Sequence, residues 1–179
     1  MMIVGTGPGR VLLPPPGNRR GLEVASGPVL EADECTCLLD AAGTWQPADS
    51  VDAAGVEVAP LNGDVLPLLQ RIARQVWEMN ATLWQLTVRR VHPGDPPLLV
   101  RRPPNDGPRD ALDMAVVPHR KVSCRLALDQ PLALDVAGFQ VRLARGEMAA
   151  WPAYLPWREP AVTEESIELG LWVHGPALR

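Results

Sequence analysis

A chain of 179 residues with 46% hydrophobic and 21% charged side chains is long enough to bury one substantial core and short for two ordinary domains. Its formal net charge of -4 supplies no bulk attraction to nucleic acid or an anionic membrane, and an odd count of 3 cysteines fits reduced thiols better than a disulfide framework. No apolar run reaches the length of a membrane span, and the Gly- and Pro-rich start lacks the charged and apolar regions of a secretory signal, so a cytoplasmic location with no membrane and no nucleic-acid partner is expected.

Residues 1–20, with Gly7-Pro8-Gly9 and Pro14-Pro15-Pro16-Gly17, cannot hold a helix or a central strand. They read as an irregular or extended lead-in to a single domain over 21–179. Asp33 is a good N-cap, Cys35, Leu38, Leu39 and Ala42 follow at helical spacing, and Gly43 closes the segment as a short amphipathic helix on which Cys35 and Cys37 point apart. A second helix starts at Asp64, tolerates Pro67 in its first turn, lines up Val65, Leu68, Leu69, Ile72, Val76 and Met79, and is expected to end at Asn80.

Beyond Asn80 the period becomes alternating. Trp84, Leu86 and Val88 fall on one face of a strand expected over 83–91, and His92-Pro93-Gly94-Asp95 makes the turn. Residues 101–112, rich in proline and aspartate, read as a long loop, and Arg89-Arg90, Arg101-Arg102 and Arg120-Lys121 as solvated basic pairs. Further strands are expected over 114–117, 121–128, 132–136, 139–144, 148–151 and 167–174, with Ala137-Gly138 and Arg145-Gly146 at turns. In the 121–128 strand Lys121, Ser123 and Arg125 share one face and Val122, Cys124 and Leu126 the other, so Ser123 and Cys124 cannot serve one pocket as nucleophiles. Nor do His92, His119 and His174 show a metal-ligand spacing. The pattern predicts an α+β fold, an antiparallel double sheet of jelly-roll type with two or more helices on its outside.

The order of elements over roughly 29–176 resembles that of the prolyl 4-hydroxylase-like iron/2-oxoglutarate dioxygenases, whose core is a double-stranded β-helix. The resemblance is carried by the helix Glu34-Cys35-Thr36-Cys37-Leu38-Leu39, by Pro93-Gly94-Asp95, by Lys121-Val122-Ser123-Cys124-Arg125-Leu126, by Gly146-Glu147-Met148-Ala149-Ala150-Trp151-Pro152, and by the run from Tyr154-Leu155-Pro156-Trp157 to Leu171-Trp172-Val173-His174. In that family a His-x-Asp pair follows the Pro-Gly-Asp turn. Here Val100 and Arg102 stand in those places, Trp157 stands where a second metal histidine is expected, and the arginine that clamps 2-oxoglutarate falls near Ser166. Indole offers no lone pair to a metal, and serine cannot make the bidentate contact of arginine with a carboxylate.

The resemblance therefore implies a degenerate member without the metal triad and without a cofactor. The expected function is a non-catalytic binding protein for a peptide or peptide-derived intermediate, in bacterial natural-product (ribosomal peptide) biosynthesis. Its expected ligand-binding residues are Lys121, Ser123, Arg125, Trp151, Tyr154, Trp157 and Trp172, with Tyr154 and Trp157 exposed in a proline-flanked loop. Two alternatives stay open: a metal-independent cyclase, epimerase or hydrolase on the same scaffold, and an oxygenase with a non-standard metal site. A homodimer is the expected assembly, since exposed sheet edges invite a partner.

Overall fold

The computed structural model describes residues 2–3, 10–13, 24–48, 55–84, 92–93, 96–111, 120–153 and 155–174, with the backbone alone at 2–3, 10–13, 77–84, 92–93, 109–111 and 120–121. In chain order they form β1 (Met2–Ile3), β2 (Arg10–Leu13), β3 (Val24–Pro28), α1 (Ala32–Asp40), β4 (Gln46–Pro47), β5 (Glu57–Pro60), α2 (Leu66–Trp84), β6 (His92–Pro93), β7 (Leu98–Arg102), β8 (Arg109–Ala111), β9 (Arg120–Ala127), β10 (Leu132–Val136), β11 (Phe139–Leu143), β12 (Glu147–Pro152), β13 (Trp157–Glu159) and β14 (Ser166–His174). The major sheet runs β1-β2-β3-β12-β9-β14-β7-β5-β4, with β6 also on β14, and the minor sheet runs β11-β10-β13-β8. Strand pairs in both sheets are antiparallel. This is the jelly-roll architecture expected from the short alternating strands.

Two cores follow from the alternation. On the outer face of the major sheet, Leu99, Val122, Cys124, Leu126, Met148, Ala150, Leu169, Leu171 and Val173 pack against Cys35 and Leu38 of α1 and Leu69, Ile72, Ala73 and Val76 of α2. Between the sheets, Val24, Ala127, Leu132, Leu134, Val136, Val141, Leu143, Ala149, Trp151 and Trp157 form a second cluster. At roughly 1.5–3 kcal/mol for each fully buried aliphatic or aromatic side chain, both cores contribute to holding the strands in register.

Local chemistry explains the joints. The β10–β11 hairpin turns on Ala137 and Gly138, both at positive φ (50° and 87°), a type I′ geometry whose twist matches the strands. The Asp135 carboxylate accepts the Gly138 N–H at 2.7 Å. Gly146 (φ 81°) immediately precedes β12, and a Cβ there would meet the Leu30 carbonyl oxygen at 2.5 Å, while its own carbonyl accepts the N–H groups of Val29 and Leu30. Only glycine lets the sheet come this close to the residues that open α1.

The structure corrects several boundaries. Helix α1 is capped at Glu31, not Asp33, because Glu34 reaches back to accept the Glu31 N–H at 3.0 Å, and it stops before Ala41 instead of at Gly43. Helix α2 runs through Asn80 to Trp84, so the strand expected over 83–91 begins inside the helix. A mid-helix asparagine costs only a fraction of a kcal/mol, about 0.7 at most, too little to end a long amphipathic helix. The expected loop over 101–112 instead leaves β7, crosses through an Asn105–Val162 bridge and becomes β8 of the minor sheet. The strand expected over 114–117 lies outside the described residues. Among those described, no helix is long and apolar enough to cross a membrane.

Candidate functional site

The faces opposite the helix-side core point into the barrel. On β9 these positions are Ser123, Arg125 and Ala127, on β14 Ser166, Glu168, Gly170 and Trp172, and on β7 Leu98, Val100 and Arg102. From the minor sheet, β13 sends in Trp157 and Glu159, both buried, and leaves Arg158 in solvent. Beside the apolar cluster between the sheets, to which Trp157 belongs, this brings two arginines, two glutamates and two tryptophans together.

The arginines tie the sheets to each other. Arg102 Nη1 lies 2.6 Å from Glu159 Oε1 and 2.8 Å from Oε2, and its Nη2 donates to Glu168 Oε1 at 2.7 Å. Arg125 Nε lies 3.3 Å from the same Glu168 oxygen, and its Nη1 donates to the Cys124 carbonyl at 2.9 Å. The Arg125 guanidinium also sits 4.5 Å from the centroid of the Trp157 ring and 5.3 Å from that of Trp172, within cation–π range of both. Trp157 in turn packs on Trp151 with centroids 5.8 Å apart and planes at 55°. Two charges of each sign thus cancel inside a nearly water-free volume.

Burial opposes the charge on Arg102, yet Glu168 and Glu159 outweigh it and hold that guanidinium's pKa above its ordinary value. Burial pushes the Cys124 thiol, directly behind Arg125 on β9, far up, with Arg125 offsetting only part of the shift. Cys124 is thereby a packed neutral thiol and not a nucleophile. Two buried donors, Ser123 Oγ and Trp151 Nε1, have no hydrogen-bond partner among the described residues, and neither does the second oxygen of Glu168.

Of the residues expected to bind ligand, the structure places Ser123, Arg125, Trp151, Trp157 and Trp172 around one volume. Trp151 and Trp172 lie on the strands flanking β9, each directly opposite Ser123. For Lys121 the backbone alone is described, in β9, and Tyr154 lies outside the described residues. Trp157 is corrected: at 4% exposure it is a buried strand residue, because Pro156 and Pro160 bracket a short strand held between β8 and β10 and do not mark a loop. The reading of Arg101-Arg102 as a solvated pair is corrected at Arg102, which is largely buried on β7 against Glu159 and Glu168; the site went unread because Arg102 and Glu159 fall in proline-flanked stretches that read as loop. The available signal was Arg102 aligned with a ligand position. Ser166 pairs with Arg102 and Val100 with Glu168 across β7 and β14, so the positions singled out by the resemblance do converge. The register also sets His92 opposite His174, a pairing that spacing alone did not show.

No protein-family model matches the sequence, and no curated protein does. Solved structures do match. A prolyl-4-hydroxylase of Pseudomonas putida is 17% identical, covering 86% of this chain and 93% of its own, with a TM-score of 0.60. An oxidoreductase of the 2OG-Fe(II) oxygenase family from Burkholderia pseudomallei is 14% identical over 84% of each chain, also at 0.60. A Trichoplax adhaerens prolyl hydroxylase, solved in complex with a peptide fragment of the hypoxia inducible factor oxygen degradation domain, is 11% identical over 88% of this chain and 84% of its own, at 0.52. The chain has the double-stranded β-helix fold of prolyl 4-hydroxylase-like oxygenases.

That fold implies an iron site, and the described residues do not fit one. Guanidinium and indole groups have no lone pair for a metal, and both buried carboxylates are engaged by Arg102. Among the described residues, no group of three His, Cys, Asp or Glu could hold a metal ion.

Proposed function

We propose that this chain is an oxygenase-type barrel that binds and does not oxidise, and that its ligand is a peptide or a peptide-derived intermediate such as ribosomal-peptide biosynthesis handles. The observation that carries the reading is the Arg102–Glu159–Glu168–Arg125 cluster with Trp157 wedged against it. On the alignment that the resemblance gives, Arg102 and Trp157 stand at two metal-ligand positions. A cation entering there would meet two guanidiniums and would have to break ion pairs worth several kcal/mol in a dry interior. Loss of the metal triad and of 2-oxoglutarate binding follows in this reading.

A peptide ligand is supported by the chemistry left at the barrel end. Partly exposed Trp172 offers a broad, rigid face with few rotamers to freeze, and the donors of Ser123 and Trp151 lie beside it. The Trichoplax neighbour, which shares the fold, was solved in complex with a peptide fragment. The test is selection from a library of linear peptides on the immobilised protein, followed by affinity measurement. Selected peptides should bind Trp172→Ala weaker by roughly 2 kcal/mol, the scale of an aromatic anchor. A library that yields nothing above background, or peptides indifferent to Trp172→Ala, would overturn the reading.

A further inference from the structure

Three strands place Trp151, Ser123 and Trp172 in one row across the sheet: Trp151 faces Ser123 across β12 and β9, and Trp172 faces the same Ser123 across β14 and β9. Directly opposed residues on one sheet face have their Cβ atoms about 5 Å apart, so the Ser123 side chain leaves the sheet between those of Trp151 and Trp172. Ser123 and Trp151 are both 0% exposed, and the hydroxyl of one and the indole N–H of the other lack a hydrogen-bond partner among the described residues. Native proteins rarely leave two such donors buried side by side, since each forfeits its hydrogen bond to water with nothing in return. Of the three, Trp172 alone reaches the surface: two residues from the end of β14, it is only partly buried.

We infer that the Trp151–Ser123–Trp172 row is a subsite for an uncharged, carbonyl-bearing group, a peptide amide, whose oxygen accepts from Ser123 Oγ and Trp151 Nε1 while its plane lies along the indoles. This deepens the peptide reading above and rests on it. The electrostatics select against an ion. Arg102 and Arg125 are already balanced by Glu159 and Glu168, so a carboxylate would arrive as an uncompensated charge in a dry volume. An amide brings the same acceptor oxygen without that cost, and its flat face suits the ring of Trp172.

The test is a titration of the 15N-labelled protein with N-acetylated dipeptide amides, with the same dipeptides as free acids in a parallel arm. The side-chain indole resonances are followed, that of Trp151 being assigned through Trp151→Phe. The blocked amides should move the Trp151 Nε1–H proton downfield, as a new hydrogen bond does, and bind more tightly than the free acids. Ser123→Ala should weaken the amide about five- to tenfold, the worth of one neutral hydrogen bond. The same variant should leave the Tm of the free protein unchanged or raised, since it deletes an unsatisfied hydroxyl, whereas a hydroxyl with a structural role would lower it. If amides bind and shift other resonances while the Trp151 signal and the Ser123→Ala affinity stay as they were, the subsite is wrong and the peptide reading stands. Tighter binding of the free acids, or a water bridging both donors in the ligand-saturated protein, likewise overturns the subsite alone. If neither arm perturbs any resonance, the peptide reading falls and the subsite with it.

Discussion

The two faces of the major sheet are built from the same strands to different rules. On the helix side β9 shows Val122, Cys124 and Leu126 and β14 shows Leu169, Leu171 and Val173, all fully buried among aliphatic neighbours. On the barrel side the alternate residues are Ser123 and Arg125, then Glu168, Gly170 and Trp172. Burying hydrocarbon stabilises a fold directly, whereas a buried ion pair often does no better than apolar side chains of equal volume. The helix-side face is therefore what the fold requires. The barrel-side face carries charge that stability does not ask for, and function is to be sought there.

The largest expected effect comes from unbalancing the charged face. Arg102→Met strips Glu159 and Glu168 of their shared partner and should cost about 4 kcal/mol in urea unfolding, while replacing Arg102, Arg125, Glu159 and Glu168 together by Met or Leu should restore stability to within about 1 kcal/mol of the native chain. A harmless single variant would mean that the cluster is not an energetic unit. On the other face, Leu126→Ala leaves a cavity between β9 and the helices and should cost roughly 3 kcal/mol without changing peptide affinity. A parallel loss of binding would show that the two faces are not independent.

Smaller still is a pH effect from the thiol on the apolar face. Burial raises the pKa of Cys124 in the folded chain, whereas in the unfolded chain it ionises near ~8.5. Its contribution is thus whole below that value and is lost as pH rises above it. Between pH 8 and pH 10 the native chain should lose about 2 kcal/mol more stability than Cys124→Ala does over the same interval. Equal losses would place Cys124 in contact with solvent.

The same contrast explains what the sequence disclosed. The β10–β11 hairpin is legible because Ala137-Gly138 punctuates two alternating runs, and β9 because Val122, Cys124 and Leu126 mark its apolar phase. Strands β7 and β13 escaped because Pro96, Pro97, Pro103 and Pro104 flank one, Pro156 and Pro160 flank the other, and prolines near short segments read as loop. At the site, Ser123, Arg125, Trp151, Trp157 and Trp172 were picked out by strand phase and by the resemblance. Arg102, Glu159 and Glu168 were not, since local pattern cannot tell a charge facing water from one facing an opposite charge across the barrel. Only the pairing of β7 with β14, and the facing of β13 toward them from the other sheet, brings them together. The burial of Trp157 has the same origin: its ring is covered by Arg125 and Trp151, which come from other strands.

The central proposal is that Arg102 and Trp157 stand where the resemblance puts two metal ligands, so that the barrel takes up no metal. Anaerobic calorimetry of the purified, chelator-treated protein with Mn(II), alone and with 2-oxoglutarate, tests it most directly. The account predicts no saturable heat in either titration. Stoichiometric Mn(II) binding that tightens when 2-oxoglutarate is added would contradict it.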